Sequence, residues 1–399
     1  MISVKQAKKI INSSISSIKS EKINVNDGLG RVLSLQIKST MDSPPFDMSS
    51  MDGYAIKYNK KYKKSKYKVI ENIYAGDTKS SELKEGETIR IFTGGKIPKG
   101  CNVIILQENV KKLKNNYIQI LEINASINYI RKKSQDFKKG SILFKKNHII
   151  TTRDIALLIS SGIENIIVYK KPNVAVLATG DELVLPGKKL KPGQIYASSL
   201  FMLKKLISLS GCNCEFFGLV KDNKQAIKNS LKKLNNIDLI ITTGGVSVGD
   251  KDLIKLVLLE LGMIQKFWKV KVKPGKPLLF GMYSGTPVFG LPGNPVSTYV
   301  CYLLFVTEAI KKMLNNDLSF LKKYKVILSD KLENSGIRET YFRGKVYLKN
   351  NKEYVNAINN QDSSLLKNLS YSNCLIKVLP NKIIKKNEYV EIYKFSELI

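Results

Sequence analysis

The chain has few of the side chains that enzymes most often use as bases, nucleophiles or metal ligands. Its 399 residues include one histidine, His148, and one tryptophan. Five cysteines are scattered along the chain, and the only close pair, Cys212 and Cys214, lacks a zinc-site spacing. This composition argues against a His-based catalytic triad and excludes a multi-histidine metal site, and we assign the cysteines structural roles.

Long apolar runs are also missing. The longest, 253–261 and 296–306, are interrupted or too short to cross a bilayer, and the N-terminus lacks the apolar core of a signal peptide. A chain of 399 residues is long enough for two to four domains, each with its own core. We therefore expect a cytoplasmic, multidomain protein with no membrane partner.

Arginine is the third scarce residue. Only six of the 66 basic residues are Arg, and the formal net charge is +33. The lysines are spread among Asn and Ile and do not gather in one arm or helix face, which is typical of solvated surfaces and disfavours a dedicated nucleic-acid partner. The positive field should still attract anionic substrates.

Hydrophobic periodicity divides the chain into four predicted domains. A capping box at Ser3 and Gln6 predicts an N-terminal helix, short β-rich pieces follow residue 44, and strands alternate with helices from residue 173. The predicted domains are a helical and linker domain at 1–43 and 140–171, an inserted β domain at 44–139, a doubly wound α/β domain at 172–316, and a C-terminal β domain at 317–399.

The segment 242–252 has the composition of an anion-binding turn. It joins the apolar strand 237–241 to an amphipathic helix and contains Gly244, Gly245, Ser247 and Gly249. Glycines let the backbone approach a ligand, and the free N–H groups and dipole of the following helix favour negative charge. A loop that merely needs small residues is the alternative for this segment taken alone.

Two later segments strengthen this interpretation. Lys269, Lys271 and Lys273 alternate, which predicts one strand face with three ammonium groups, and Lys276 follows after a Pro-Gly turn. In the second segment Asn294 is placed as a helix N-cap. Helix starts at the carboxyl ends of neighbouring parallel strands form a ligand crevice.

Carboxylates follow two strands of the same domain. Asp181 and Glu182 come directly after the first strand, and Asp222 follows the next. Oxygen ligands of this kind suit Mg²⁺, which keeps several waters. Each acid could instead cap a helix, and for Asp222 alone capping is the better interpretation.

Six motifs, in this order and spacing, resemble the molybdopterin molybdenumtransferase family of the MoeA type, which is similar to the E domain of gephyrin. The resemblance covers essentially the whole chain, and the motifs are 51–55, 93–94, 179–182, 244–249, 273–277 and 291–295.

The resemblance implies a multidomain α/β plus β fold. Its parts are a central doubly wound α/β molybdopterin-binding domain, an inserted β domain and a C-terminal β-barrel-like domain. It also implies a homodimer with a shared active site, which inserts molybdate into adenylylated molybdopterin and releases AMP with the help of Mg²⁺. Molybdopterin adenylyltransferase and molybdoenzyme maturation proteins are the other expected partners.

The resemblance also assigns roles to single residues. The expected catalytic residues are Asp52, Thr93, Glu182, Asp252, Lys269 and Lys273. The expected substrate-binding residues are Gly244, Gly245, Ser247, Gly249, Lys276, Pro292, Asn294 and Pro295. The expected metal ligands are Asp136, Asp181, Glu182 and Asp222.

Two other functions would also use the motifs of this family. A non-catalytic molybdopterin-binding scaffold would keep the fold, but it would not need the acidic residues that are present here. A molybdopterin adenylyltransferase would be a single α/β domain, which the four-part organisation disfavours. Departures from the family pattern include Ala197, Ser199 and Asp362, where Asp, Asn and Gly are common.

Overall fold

The computed structural model describes residues 1–59, 66–78, 81–123, 127–245, 253–316 and 321–395. The chain forms two compact units, one made of residues 1–21 and 169–399 and the other of residues 22–168. This division is coarser than the four predicted domains, whose boundaries stay a prediction. Within the described residues, no helix is long and apolar enough to cross a membrane.

Helix α1 (Val4–Ser14) begins at the predicted capping box. The Ser3 hydroxyl accepts a hydrogen bond from the backbone N–H of Gln6 at 3.2 Å, and the Gln6 side chain accepts one from the Ser3 N–H at 2.9 Å. These bonds satisfy two N–H groups that a helix start leaves without partners. The predicted N-terminal helix is therefore confirmed.

The unit of residues 22–168 is built around a six-stranded sheet. Its order is β7-β4-β6-β5-β9-β8, and all neighbours are antiparallel except β5 and β6. Along β4, Tyr54 and Ile56 enter one apolar cluster while Ala55 enters the other, as the two-residue period of a strand requires. The elements from residue 20 to 169 are β1 (Ser20–Asn24), β2 (Ile37–Lys38), β3 (Met48–Ser49), β4 (Gly53–Ile56), β5 (Lys66–Ile73), β6 (Glu87–Ile91), β7 (Val103–Leu106), β8 (Val110–Lys112), β9 (Tyr117–Ile120), β10 (Ile130–Arg131), β11 (Ile142–Phe144), α2 (Thr152–Ser160) and β12 (Asn165–Tyr169).

Helix α2 lies within the segment 140–171 of the predicted helical and linker domain. A second capping box starts the helix, with the Asp154 carboxylate accepting a hydrogen bond from the Thr151 N–H at 2.8 Å. Gly162 follows its end at φ +75°, a backbone conformation that glycine adopts without strain. Leu158 is fully buried and packs in a cluster with Phe144 and Val168.

The larger unit contains a second six-stranded sheet, in the order β16-β13-β17-β21-β20-β18. The first four strands are parallel, and β20 and β18 add antiparallel strands at one edge. Helices α6 and α7 are joined by a π-helical turn, Tyr302–Val306. The elements are β13 (Asn173–Thr179), β14 (Leu183–Val184), β15 (Ile195–Tyr196), α3 (Ser198–Leu209), β16 (Asn213–Val220), α4 (Lys224–Lys232), β17 (Leu239–Thr243), α5 (Leu253–Glu260), β18 (Ile264–Trp268), β19 (Val272–Lys273), β20 (Leu279–Tyr283), β21 (Thr286–Leu291), α6 (Pro295–Cys301) and α7 (Thr307–Leu314).

Three pairs of helices pack in this part of the unit. Helices α4 and α5 contact each other, and their residues Ile227 and Val257 share a buried cluster with Ala175 and Leu177 of β13. Helix α3 contacts β13, β16 and α6, and α1 packs on α7. Six consecutive residues of β13, 174–179, are buried, as expected for a strand in a sheet that is covered on both faces.

The C-terminal strands close into a barrel. Pairing runs β24-β25-β22-β28-β26, and β26 pairs again with β24. The interior is apolar and includes Val355, Ile376 and Ile392, all fully buried. The predicted α/β plus β fold class with a barrel-like C-terminal domain is confirmed. The elements are β22 (Leu321–Leu328), β23 (Leu332–Asn334), β24 (Glu339–Lys349), β25 (Lys352–Ala357), α8 (Leu366–Tyr371), β26 (Cys374–Val378), β27 (Lys382–Ile384) and β28 (Tyr389–Phe395).

We expect Ile376→Ala to lower the free energy of unfolding by about 2–5 kcal/mol, because truncating a buried side chain loses apolar contacts and leaves a cavity. Urea unfolding followed by circular dichroism measures the change. Ile383→Ala is the matched control, since Ile383 is 48% exposed. Equal effects of the two substitutions would contradict a packed barrel interior.

Candidate functional site

Three parallel strands of the larger unit end next to one another, and a glycine follows each of these strand ends within two residues. A Cβ at Gly244 would lie 2.4 Å from the backbone oxygen of Thr179, so no larger residue fits. Gly244 and Gly245 both have positive φ, and Gly293 also approaches Gly244 closely. The ends of β13, β17 and β21 thus present a surface of bare backbone to a ligand.

The lysine segment forms a turn directly after β19. Gly275 lies between Lys273 and Lys276 at φ +110°, and a Cβ there would lie 2.3 Å from Cys301 Sγ. Cys301 is fully buried in α6, and its thiol donates a hydrogen bond to the Gly275 carbonyl at 3.6 Å. Burial raises the pKa of the Cys301 thiol far above its usual value, so the group acts as a neutral packing atom.

The barrel supplies the opposite side of the site. Strand β19 pairs with the start of β24, and the Arg338 guanidinium donates to the Val272 carbonyl at 3.5 Å. The Asn294 amide donates to the Ser363 hydroxyl at 2.8 Å, and the Val296 N–H donates to the Ser363 carbonyl at 3.2 Å. Asn294 is the predicted N-cap of α6, but its side chain contacts the barrel loop instead of capping the helix.

Together these elements enclose a cavity of about 800 Å³. Among the described residues, Lys273, Lys276 and Arg338 bring three positive charges to it, and Asp362 brings one negative charge. Backbone amides, hydroxyls and cations around one space are suited to an oxyanion. The lining residues are Gly244, Gly245, Lys273, Pro274, Gly275, Lys276, Pro277, Pro292, Gly293, Asn294, Ser297, Arg338, Asn360, Gln361, Asp362 and Ser363.

The structure therefore brings together six predicted residues, and it places a seventh beside them. Pro295 occupies the first turn of α6, next to Asn294. Pro295 is half-buried and follows the cavity-lining segment directly. The six cavity-lining residues are Gly244, Gly245, Lys273, Lys276, Pro292 and Asn294.

The predicted metal ligands of this unit lie after two strand ends. Asp181 and Glu182 are exposed after β13, and Asp222 follows β16. Both oxygens of the Glu182 carboxylate lie 2.7 Å from where a Cβ of Gly180 would be, so the absence of a side chain there accommodates this acid. Among the described residues, no three His, Cys, Asp or Glu side chains cluster closely enough to hold a metal ion by themselves.

The predicted strand of alternating lysines is wrong. Strand β18 ends at Trp268, Lys269 has φ +69°, and regular pairing resumes only at Val272. The Lys269 ammonium lies 3.8 Å from the centre of the Trp268 ring, and that of Lys255 lies 3.4 Å from it. The aromatic ring, and not a strand face, therefore holds the Lys269 side chain.

Three predicted residues belong to the unit of residues 22–168. Asp52 accepts hydrogen bonds from the N–H and the hydroxyl of Thr93, each at 2.8 Å. These bonds, the backbone one first, hold the pKa of Asp52 below its usual value, and the charge of Arg90 adds to the effect. Asp136 is exposed, and its N–H donates to the Ser43 carbonyl at 2.9 Å. Asp52 is thus kept ionised at neutral pH.

Ser247, Gly249 and Asp252 lie outside the described residues, and their predicted roles stay predictions. Arg338 and the barrel loop 360–363 were missed, because nothing near them in sequence indicates a ligand. One feature of the composition could have indicated Arg338 as a functional residue: it is one of only six arginines in a chain whose other basic residues are lysines.

Comparison with known proteins agrees with this geometry. The chain matches the MoeA N-terminal region (domain I and II) over residues 2–162, a probable molybdopterin binding domain over residues 175–312, and the MoeA C-terminal region (domain IV) over residues 325–395. A molybdopterin molybdenumtransferase of Haemophilus influenzae is 33% identical, and the match covers 95% of each chain. One from Nostoc sp. is 34% identical, over 88% of this chain and 83% of that protein.

The chain belongs to the molybdopterin molybdenumtransferase family. A molybdopterin biosynthesis MoeA protein from Pyrococcus horikoshii has a similar solved structure, with a TM-score of 0.82, 30% identity and coverage of 99% of this chain and all of that one. The predicted family and enzyme class are confirmed: this molybdenumtransferase family member is a transferase of molybdenum cofactor biosynthesis.

In this transferase we expect Gly275→Ala to disrupt the lysine turn. The new methyl group would overlap Cys301 Sγ, and φ +110° strains any residue with a side chain. The double substitution Gly275→Ala/Cys301→Ala should recover part of the lost thermal stability, since it removes the overlap but keeps the strain. Differential scanning fluorimetry measures both. No recovery in the double variant would mean that the overlap does not limit stability.

Proposed function

We propose that the protein inserts molybdate into adenylylated molybdopterin and releases AMP, in a reaction that depends on Mg²⁺. The observation that carries the proposal is the cavity of about 800 Å³ with its three cations. Molybdate, the pterin phosphate and the adenylate phosphates are all anions. Lys273, Lys276 and Arg338 would draw them into one space, and the glycine turn leaves room for a bulky pterin.

Asp181 and Glu182 are the residues proposed to hold Mg²⁺. Their carboxylates are hard oxygen ligands, and Mg²⁺ retains waters, so two protein ligands together with substrate phosphate oxygens fit its coordination. When bound, the ion would stabilise negative charge on the phosphate bridge as AMP leaves. The chain itself would orient the anions through the lysine turn and Ser363 at the barrel loop.

We further propose that the enzyme works as a homodimer with a shared active site. Asp52, Thr93 and Asp136 would face the cavity of the partner subunit. The half-exposed Asp52 is ionised and tightly oriented, since the N–H and the hydroxyl of Thr93 both donate to one of its carboxylate oxygens. This arrangement supports a functional role for Asp52. Molybdopterin adenylyltransferase would supply the substrate, and molybdoenzyme maturation proteins would accept the product.

AMP release tests the proposed reaction. Wild-type protein, adenylylated molybdopterin and Mg²⁺ should release AMP only after molybdate is added, as measured by chromatography. Glu182→Ala should fold normally and lose at least about 100-fold in rate, the scale of a charge-stabilising group. Glu215→Ala is the matched control, because Glu215 is exposed near the start of β16, at the opposite end of its strand from the ligand edge.

Normal turnover by Glu182→Ala would reject its role. Tight binding of adenylylated molybdopterin by the wild type without AMP release would reject the transferase reaction and support a non-catalytic scaffold. ATP-dependent adenylylation of molybdopterin would instead indicate an adenylyltransferase.

Mixing two inactive variants tests the shared site. Asp52→Asn and Lys273→Ala change opposite sides of the proposed site, so a mixed dimer contains one site with both changes and one intact site. We expect part of the wild-type AMP release to return after the two proteins are unfolded and refolded together. Each variant refolded alone is the control, and activity that stays absent in a verified mixed dimer would place both residues in the same subunit's site.

A further inference from the structure

A fully buried arginine lies behind the barrel side of the cavity. Arg343 is 1% exposed and lies on β24. Burying a guanidinium is costly unless its N–H groups have partners. Here all three nitrogens donate: Nε to the Gln361 side chain at 3.2 Å, Nη1 to the Leu365 carbonyl at 3.1 Å, and Nη2 to the carbonyls of Asn360 and Asp362 at 3.3 and 3.0 Å.

All four acceptors belong to one loop, residues 360–365. Gln361 strengthens the connection, because its amide donates to the carbonyls of Arg343 and Ile358 at 3.0 and 2.6 Å, and its oxygen accepts from the Arg343 N–H at 2.9 Å. The loop is otherwise short of apolar anchors, since Asn360, Asp362 and Ser364 are exposed. Arg343 therefore fixes a polar loop that has little hydrophobic packing of its own.

The same loop forms one wall of the cavity. Asn360, Gln361, Asp362 and Ser363 line it, and Ser363 contacts Asn294 and Val296 at the start of α6. The loop therefore lines the anion space on one side, while its backbone carbonyls and the Gln361 side chain bond to Arg343 on the other. A movement of the loop would therefore displace the Ser363 hydroxyl from the lysine turn opposite.

We propose that Arg343 is a positioning residue for the molybdate-binding wall of the cavity, a role that rests on the proposed function. Its planar guanidinium donates hydrogen bonds to three backbone carbonyls and one side-chain amide oxygen at once. A lysine has a single ammonium group on a flexible stem and cannot reach them all, so Arg343→Lys keeps the charge and loses the geometry. Arg343 acts through loop 360–365 and does not itself line the cavity.

Calorimetric titration with molybdate tests the role. We expect wild-type protein to bind molybdate and Arg343→Lys to bind it roughly tenfold more weakly, since small displacements of binding groups have large effects. In the AMP-release assay the KM for molybdate should rise by a similar factor, while kcat at saturating molybdate stays close to wild type. Gln361→Leu removes the hydrogen bonds between the Gln361 side chain and Arg343. It should also weaken molybdate binding and raise the KM for molybdate.

Asn373→Ala is the matched control. The Asn373 side chain makes two hydrogen bonds, at 2.7 and 3.0 Å, to the backbone of Val346, which lies on β24 as Arg343 does. Asn373 itself is not part of the cavity lining. Its loss should lower thermal stability without changing molybdate affinity. This comparison separates positioning of the loop from general stability of the barrel.

The outcomes distinguish the two proposals. If the wild type does not bind molybdate, the proposed function of the cavity fails. If the wild type binds it and Arg343→Lys binds it equally well, only the role of Arg343 fails. Should Arg343→Lys not fold, Gln361→Leu decides, and unchanged molybdate affinity in that variant overturns the inference.

Discussion

The site depends on a very short strand pairing. Val272 and Lys273 pair in parallel with Glu339 and Thr340, and this joins the segment that leads into the lysine turn to β24, the 11-residue strand of the barrel. Arg338 adds a hydrogen bond to Val272 at the same place. This pairing, together with the bonds that join Ser363 to Asn294 and Val296, holds the lysine turn and the barrel loop on opposite sides of the cavity.

The cavity also concentrates like charges. Lys273, Lys276 and Arg338 surround the same space, whereas Asp362 is the one acid among the described residues of its lining. The Asp362 carboxylate already accepts bonds from the N–H and hydroxyl of Ser364, which, hydroxyl first, hold its pKa below the usual value. Mutual repulsion of the cations destabilises the empty site, and a bound anion relieves it. The same charges that raise the affinity for an anion therefore lower the stability of the protein without ligand.

The sequence is most informative about local structure and about residues that are close in the chain. The capping box at Ser3, the glycine turn at Gly244 and the helix start at Asn294 depend on neighbouring residues, and the structure contains each of them. The barrel loop 360–363 reaches the site only through tertiary packing, so local patterns could not predict it. The strand predicted from the alternating lysines was wrong because Lys269 has a positive φ, which interrupts the extended backbone there.

The ring of Trp268 lies against two ammonium groups, those of Lys255 and Lys269. Since it is the only tryptophan in the chain, the indole emission of the whole protein arises from this one environment. Nearby charges shift the energy of an indole excited state through their electric field. The intrinsic fluorescence of the unlabelled protein is therefore an optical readout of the charges next to Trp268, which include Lys269, a residue predicted to be catalytic.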